Sequence, residues 1–278
     1  MANIAQTLRD ARRRLAGVHD AQLSAELLLA RALGCTRSAL YSAPEKALEP
    51  GEATEFDRLI DARSSGHPLG YLLGQAEFWS LPLLVSPAVL VPRPETELVV
   101  ETALGVPRPP HARIADLGTG SGAIAAAIAL ECTDAHVVAS DRSAAALAIA
   151  KRNVERLGLR DRIELTLANW LDPFRADGLD IVLSNPPYIG ESERSGLPPE
   201  LMHEPPSALF SGHDGLGALS EIARGAVYCL RSGGTLILEH GAEQGHQVRA
   251  MLHANGYHDV ETLRDLAGHE RVTRATST

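Results

Sequence analysis

Asn185-Pro186-Pro187-Tyr188 closes an apolar run, Leu179-Asp180-Ile181-Val182-Leu183-Ser184, that reads as a buried strand. Each proline fixes its own φ and lacks an N–H, and Pro187 also confines Pro186 to extended backbone, so the turn is stiff before anything binds. The Asn185 side-chain oxygen and the Pro186 carbonyl can then accept hydrogen bonds from one planar –NH2 group, while Tyr188 offers a flat face beside them. Such a clamp suits a flat, conjugated nitrogen, either a carboxamide or the exocyclic amine of a base. Taken alone, the tetrapeptide is also compatible with a proline-rich turn that does no chemistry.

A second cluster lies upstream, in Asp116-Leu117-Gly118-Thr119-Gly120-Ser121-Gly122. Glycines at alternate positions let backbone pass close to a ligand, and the loop feeds a helix N-terminus. The pattern is weak by itself, because bare tight turns share it. Asp141 ends the next predicted strand, 23 residues after Gly118, where a doubly wound fold presents an acid to ribose hydroxyls. Asp116 is placed to anchor the loop or to meet a cofactor's amino group. Asn169-Trp170 follows the third strand and could hold an adenine by an edge hydrogen bond and a ring contact, although an indole there could also be core.

These residues need a frame that brings strand ends together. From residue 112 the texture alternates: strand Ala112–Leu117, helix Ala123–Glu131, strand His136–Ser140, helix Ala144–Leu157, strand Arg162–Leu167, then the strand that ends at Asn185. Helix Leu219–Cys229, strand Gly234–Glu239, helix Gln244–Ala254 and strands near 257–263 and 270–275 follow. Alternation of this kind predicts parallel strands with helices on both faces and ligands at the strands' carboxyl ends. Before it, residues 3–75 carry only helical periodicity (Leu23, Leu27 and Leu28; Phe56, Leu59 and Ile60), which predicts a bundle of four or five helices. Residues 76–92 are short, β-like and proline-punctuated, a hairpin connector, and Pro94-Glu95-Thr96-Glu97 opens a helix.

The net charge of −9 falls entirely after residue 75, since the first 75 residues hold nine basic and nine acidic side chains. A polynucleotide substrate usually leaves a basic footprint, so the balance disfavours one and better tolerates a basic protein partner. Cys35, Cys132 and Cys229 lie far apart in no metal or redox spacing, no metal is expected, and a reducing cytosol is the simplest setting. Arg9, Arg12, Arg13 and Arg14 near the start are not followed by an apolar run, so they read as part of a folded helix.

With the glycine loop, Asp141, Trp170 and Asn185 to Tyr188 in this order, the chain resembles class I S-adenosylmethionine-dependent methyltransferases, and closely the release factor glutamine methyltransferases of the HemK/PrmC family. Family markers are Tyr71-Leu72-Leu73-Gly74-Gln75-Ala76-Glu77-Phe78, Val91-Pro92-Arg93-Pro94-Glu95-Thr96-Glu97, Glu204-Pro205, Gly212-His213-Asp214-Gly215-Leu216 and the tail Asp265 to Val272. The resemblance implies a seven-stranded, mostly parallel, Rossmann-like sheet. It also implies an N-terminal helical substrate-recognition domain over 1–75, a connector over 76–92 and a methyltransferase domain over 93–278. It implies methylation of the side-chain amide nitrogen of the glutamine in the Gly-Gly-Gln loop of class I peptide chain release factors, by a cytoplasmic enzyme expected to be monomeric and not to bind nucleic acid.

On this resemblance Gly118, Thr119, Gly120, Ser121, Gly122, Asp141, Trp170 and Asn185 hold S-adenosylmethionine. Asn185, Pro186, Pro187 and Tyr188 hold the glutamine, with Asn185, Pro186 and Tyr188 assigned to catalysis. Asn169 departs from the family pattern, which would carry Asp there. Glu193, Glu200 and Glu204 could meet a basic loop of the partner or simply face solvent, and Glu239 could shape the pocket or pair locally. The competing readings are adenine-N6 methylation through the same clamp, which requires a base taken out of its stack, and a silent methyltransferase-like module, which intact motifs disfavour.

Overall fold

The computed structural model describes residues 2–278, which fall into two compact units: one runs to Gln75 and includes Pro198–His203, the other comprises Ala76–Leu197 and Glu204–Thr278. The first unit holds five helices, α1 (Ile4–Arg14), α2 (Ala21–Ala32), α3 (Arg37–Ser42), α4 (Pro50–Ser64) and α5 (Leu69–Leu73). Helix α1 starts where the Asn3 side chain accepts from the Gln6 N–H at 2.9 Å, satisfying an amide that has no partner within the helix. Helix α4 starts with Pro50 in its first turn, and the Glu49 N–H donates to Glu52. Apolar side chains spaced three and four apart then meet in one core of Ile4, Leu15, Leu28, Leu29, Leu40, Phe56, Leu59 and Ile60.

Pro198–His203 joins this unit through polar contacts. Buried Arg63 donates to Ser24 Oγ, to the His67 carbonyl and to Glu200 Oε1 at 2.6 Å, while His203 stacks on His67 with ring centroids 4.0 Å apart. Nothing in the sequence pointed to that attachment.

After the five helices comes a hairpin of β1 (Gln75–Phe78) and β2 (Leu81–Leu84), all but Gln75 in the second unit, turned by Trp79 and Ser80, both at positive φ (52° and 58°), the conformation that matches the twist of paired strands. A 3-10 turn, Pro94–Thr96, leads into α6 (Glu97–Gly105). Then come β3 (Arg113–Leu117), α7 (Ala123–Glu131), β4 (His136–Asp141), α8 (Ala144–Arg156), β5 (Ile163–Leu167) and β6 (Leu179–Ser184). The chain ends with α9 (Pro206–Leu209), α10 (Gly217–Cys229), β7 (Leu230–Glu239), α11 (Gly245–Ala254), β8 (His258–Arg264) and β9 (Glu270–Thr276).

The sheet is seven-stranded in the order β5-β4-β3-β6-β7-β9-β8, parallel except where β9 runs against β7 and β8. Successive side chains on each strand face opposite sides. Ile114, Val137, Ile181 and Leu183 accordingly pack under α6, α7 and α8, and Ala115, Leu117, Val182 and Leu236 under α10 and α11. Chain order proceeds one way from β3 through β4 to β5 and the other way from β6, so the strand order switches direction beside β3. Leu117 pairs with Ser140 on one side and Ser184 on the other, which brings Gly118, Asp141 and Asn185 to one level beyond the strands.

Candidate active site

The glycine loop is tied down at both ends. Gly118 and Thr119 N–H groups donate to the Ser140 carbonyl, and Asp141 accepts from Gly120 N at 2.9 Å and Ser143 N at 2.8 Å. A carboxylate has about four acceptor positions, so Asp141 retains capacity for ligand hydroxyls. Below the loop, Asp116 accepts from the Thr119 hydroxyl at 2.6 Å and from Ala125 N at 3.2 Å, which makes it the loop's anchor. Burial pushes its carboxyl up to about 6, partly opposed by those two hydrogen bonds. From α8, buried Asn153 donates to the Ser121 carbonyl and also exchanges hydrogen bonds with the Leu84 backbone, fastening the hairpin to the loop. Asn153 was not singled out in the sequence, although an amide beside Ala146, Ala150 and Val154 on a buried face is the signal.

Trp170 sits at positive φ (43°) with its ring against the loop: a Cβ on Gly118 would lie 3.1 Å from Trp170 Cζ3. Its indole N–H donates to Glu221 Oε2 at 3.2 Å, and Asn169 Nδ2 donates to Glu221 Oε1 at 3.0 Å. One carboxylate of α10 thus grips both residues, a function that Asp in place of Asn169 could not share without repulsion. The amide oxygen of Asn169 is left for a ligand edge.

Gly118, Thr119, Gly120, Ser121, Asp141, Trp170, Asn185 and Pro187 all line one cleft of ≈ 920 Å³, solvent mouth included, together with Arg93, Thr96, Asn169 and Pro205. Gly122, Pro186 and Tyr188 do not line it. Gly122 caps α7, Pro186 is buried, and the Tyr188 hydroxyl turns away to Glu239 Oε1 at 3.2 Å. Asn185 Nδ2 donates to Thr96 Oγ1 at 2.9 Å, so its oxygen is the end left unused. The Tyr188 carbonyl accepts from Gln244 Nε2 at 2.9 Å, and Gly215 packs directly behind it.

Of the three loop acids, none waits for a partner. Glu193 accepts from Gly190 N, Glu200 pairs with Arg63 inside the helical unit, and buried Glu204 accepts from Val91 N and from Arg93. Glu239 is buried and pushed up to about 7 by that burial, with the Thr96 and Tyr188 hydroxyls and Arg271 acting against it. Tyr188 is itself raised, by burial and then by the Glu239 charge.

The chain matches the PrmC N-terminal domain over residues 6–74 and the methyltransferase small domain over 95–215. It is 46% identical over 255 residues to the release factor glutamine methyltransferase of Xylella fastidiosa Temecula1, covering 91% of this chain and 92% of that one. To the protein of the same name from Escherichia coli K12 it is 40% identical over 267 residues, 96% of each chain. A methyltransferase structure from Pyrococcus furiosus shares the fold, with a TM-score of 0.51 at 18% identity over 71% of this chain and 89% of that one.

Proposed function

The chain belongs to the release factor glutamine methyltransferase family, and we propose that its cleft transfers a methyl group from S-adenosylmethionine to the side-chain amide nitrogen of a glutamine, that of the Gly-Gly-Gln motif of class I release factors. The observation that carries the reading is Asn185: at the switch point beside the glycine loop, its amide N–H is held by Thr96 and its oxygen remains to accept from an incoming –NH2.

The cleft fits the cofactor's chemistry. Asp141 has acceptor capacity for ribose hydroxyls, Asn169 and Trp170 offer an edge and a ring for adenine, and Gly118 and Gly120 supply backbone without side chains in the way. S-adenosylmethionine, when bound, supplies an electrophilic methyl on sulfur. A carboxamide nitrogen is a poor nucleophile because its lone pair is delocalised into the carbonyl. Asn185 Oδ1 at the cleft wall, and the Pro186 carbonyl in the turn beside the cleft, would accept its two N–H groups, orienting it and enriching it as the N–C bond forms. Held by Asp141, Asn169, Trp170 and the glycine loop, the cofactor would supply that methyl and keep the S–C electron pair as a neutral thioether, and one of the amide's own two N–H protons would leave afterwards to water. Tyr188 and Pro187 would fix the amide plane, so positioning and electrostatics supply most of the rate.

In this reading the helical unit recognises the release factor, the enzyme works as a cytoplasmic monomer and nucleic acid is not a substrate. The acidic excess beyond residue 75 supports the exclusion of nucleic acid. No helix among the described residues is long and apolar enough to cross a membrane. Purified protein is mixed with radiolabelled S-adenosylmethionine and either a release factor or DNA. Label on the factor's glutamine is expected, and label only on DNA would overturn the reading.

A further inference from the structure

Ser184 pairs with Leu238, which brings Asn185 and Glu239 to one level on adjacent strands. Thr96 meets both: its hydroxyl oxygen accepts from Asn185 Nδ2 at 2.9 Å, and it faces the Glu239 carboxylate, which the Tyr188 hydroxyl reaches at 3.2 Å. An amide nitrogen only donates, so Thr96 accepts from it and its single proton is left for Glu239. The arrangement therefore has a direction, from Asn185 through the Thr96 hydroxyl towards the Glu239 carboxylate that it faces, with Tyr188 donating to that carboxylate from the other side.

We propose that Thr96 and Glu239 are positioning residues, a directed hydrogen-bond relay that keeps the oxygen of the Asn185 amide, and not its nitrogen, facing the substrate. A primary amide turned by 180° occupies nearly the same volume, so packing does not choose between its two ends and hydrogen-bond partners must. With nitrogen outward, Asn185 would oppose donor to donor with the incoming –NH2. The ionised Glu239 carboxylate can only accept, which forces the direction. A protonated Glu239, or a glutamine there, can donate to Thr96, release the Thr96 proton towards Asn185 Oδ1 and invert the relay. Glu239 is 1% exposed, so bulk solvent does not reach its carboxylate in place of Thr96. Arg271 on β9 favours its ionised form, and Glu95, in the turn that carries Thr96, disfavours it.

The proposal rests on the glutamine-methylation reading, and its test separates the two. Thr96→Val, Thr96→Ser and Glu239→Gln are compared with wild type for kcat and KM on a release factor, for S-adenosylmethionine affinity by calorimetry, for melting temperature, and for the Asn185 side-chain amide resonance in 15N-labelled protein. Thr96→Val is expected to lower kcat about tenfold to a hundredfold with cofactor affinity within about twofold, and Thr96→Ser to recover most of the rate. The Asn185 amide proton bound to Thr96 should shift in the valine variant and stay in place in the serine variant. Glu239→Gln is expected to lower kcat and to remove an acid limb centred near 7, where burial has moved that carboxyl.

Thr96→Val turning over within twofold of wild type would overturn the relay. So would a serine variant as poor as valine, a fall in melting temperature and cofactor affinity that matches the fall in kcat, or an unmoved Asn185 resonance. A wild-type protein that leaves release factors unmethylated refutes the parent reading, while the Asn185 resonance still decides the relay.

Discussion

Gly215 is the sharpest point at which to disturb the substrate turn without touching it. Its φ is +78°, and a Cβ there would lie 2.1 Å from the Tyr188 carbonyl oxygen and 2.8 Å from Gln244 Nε2, the group that donates to that same carbonyl. Ordinary contact begins at 3.4 Å, so Gly215→Ala must part the two backbones by the difference, about 1.3 Å. The stiff Asn185-Pro186-Pro187-Tyr188 turn moves as one piece because the prolines cannot absorb the shift locally. A misplacement of ~1 Å at reacting groups costs roughly a hundredfold in rate. Gly212→Ala is the control: it also has positive φ (+71°) but nothing within 4 Å of the added Cβ, so it incurs only the ~1–2 kcal/mol of left-handed backbone. Methyl transfer to a release factor at saturating cofactor, with calorimetry for S-adenosylmethionine, should show kcat falling about a hundredfold in Gly215→Ala and staying within about threefold in Gly212→Ala, with comparable cofactor affinities. Equal kcat in the two variants, or a loss confined to cofactor affinity, would refute the reasoning.

Asn185→Ala should abolish turnover while the cofactor still binds; turnover within a few-fold of wild type would remove Asn185 from its role. Tyr188→Phe, which loses one 3.2 Å bond to Glu239 and keeps the ring, should be mild and Tyr188→Ala severe in kcat, and equal effects would count against a stacking role. Glu221→Ala frees both Asn169 and Trp170, so cofactor affinity should drop about fivefold, from ~1 kcal/mol of lost partly exposed hydrogen bonding, with a change in Trp170 fluorescence. Unchanged affinity would show that the pair is already held by packing. Asp116, at about 6 in the folded protein against an ordinary 3.8, binds its proton more tightly folded than unfolded. Its contribution to stability therefore declines as pH rises from near 4 to near 6 and is flat above, by an amount on the order of 3 kcal/mol. Urea unfolding of wild type and Asp116→Asn at pH 4, 6 and 8 should show the variant gaining on wild type across the first interval, and a pH-independent difference would falsify this assignment.

Much of the frame was legible because its elements obey local rules. The strand-helix alternation after residue 112 follows apolar runs broken by turn residues, and the helix starts coincide with Pro94 and Ser143, whose backbone and hydroxyl chemistry mark first turns. The antiparallel β9 was not visible in the alternation, because strand direction is set by pairing partners far away in sequence. The cleft residues were visible as glycines and an acid at strand ends. Glu221 and Asn153 were not, since a polar residue on a helix face reads as solvated until the surface it meets is known. Tyr188 was read as a flat face for the substrate amide; that its hydroxyl points to Glu239 and that Pro186 is buried were not legible, because a turn's direction depends on what packs behind it, here Gly215 and Gln244.

Asp116 and Glu239 together show where this fold sacrifices stability for the cleft. Each is buried at or near the end of a central strand, each is raised by burial, and each retains one oxygen with no hydrogen-bond partner, Oδ1 of Asp116 and Oε2 of Glu239. A buried carboxyl left half-satisfied is destabilising relative to an amide or an apolar group of the same size. What the carboxyls offer in return is acceptor-only chemistry when ionised: Asp116 takes the Thr119 hydroxyl and the Ala125 N–H, and Glu239 takes Tyr188 and faces Thr96. An amide in either place could present a donor to its neighbours and let a hydroxyl turn around. Under the glycine loop that reversal would loosen the cofactor's cradle; under Asn185 it would present nitrogen to nitrogen. The two destabilised carboxyls thus occupy the positions where the direction of a hydrogen bond, and not merely its presence, decides whether the cleft works.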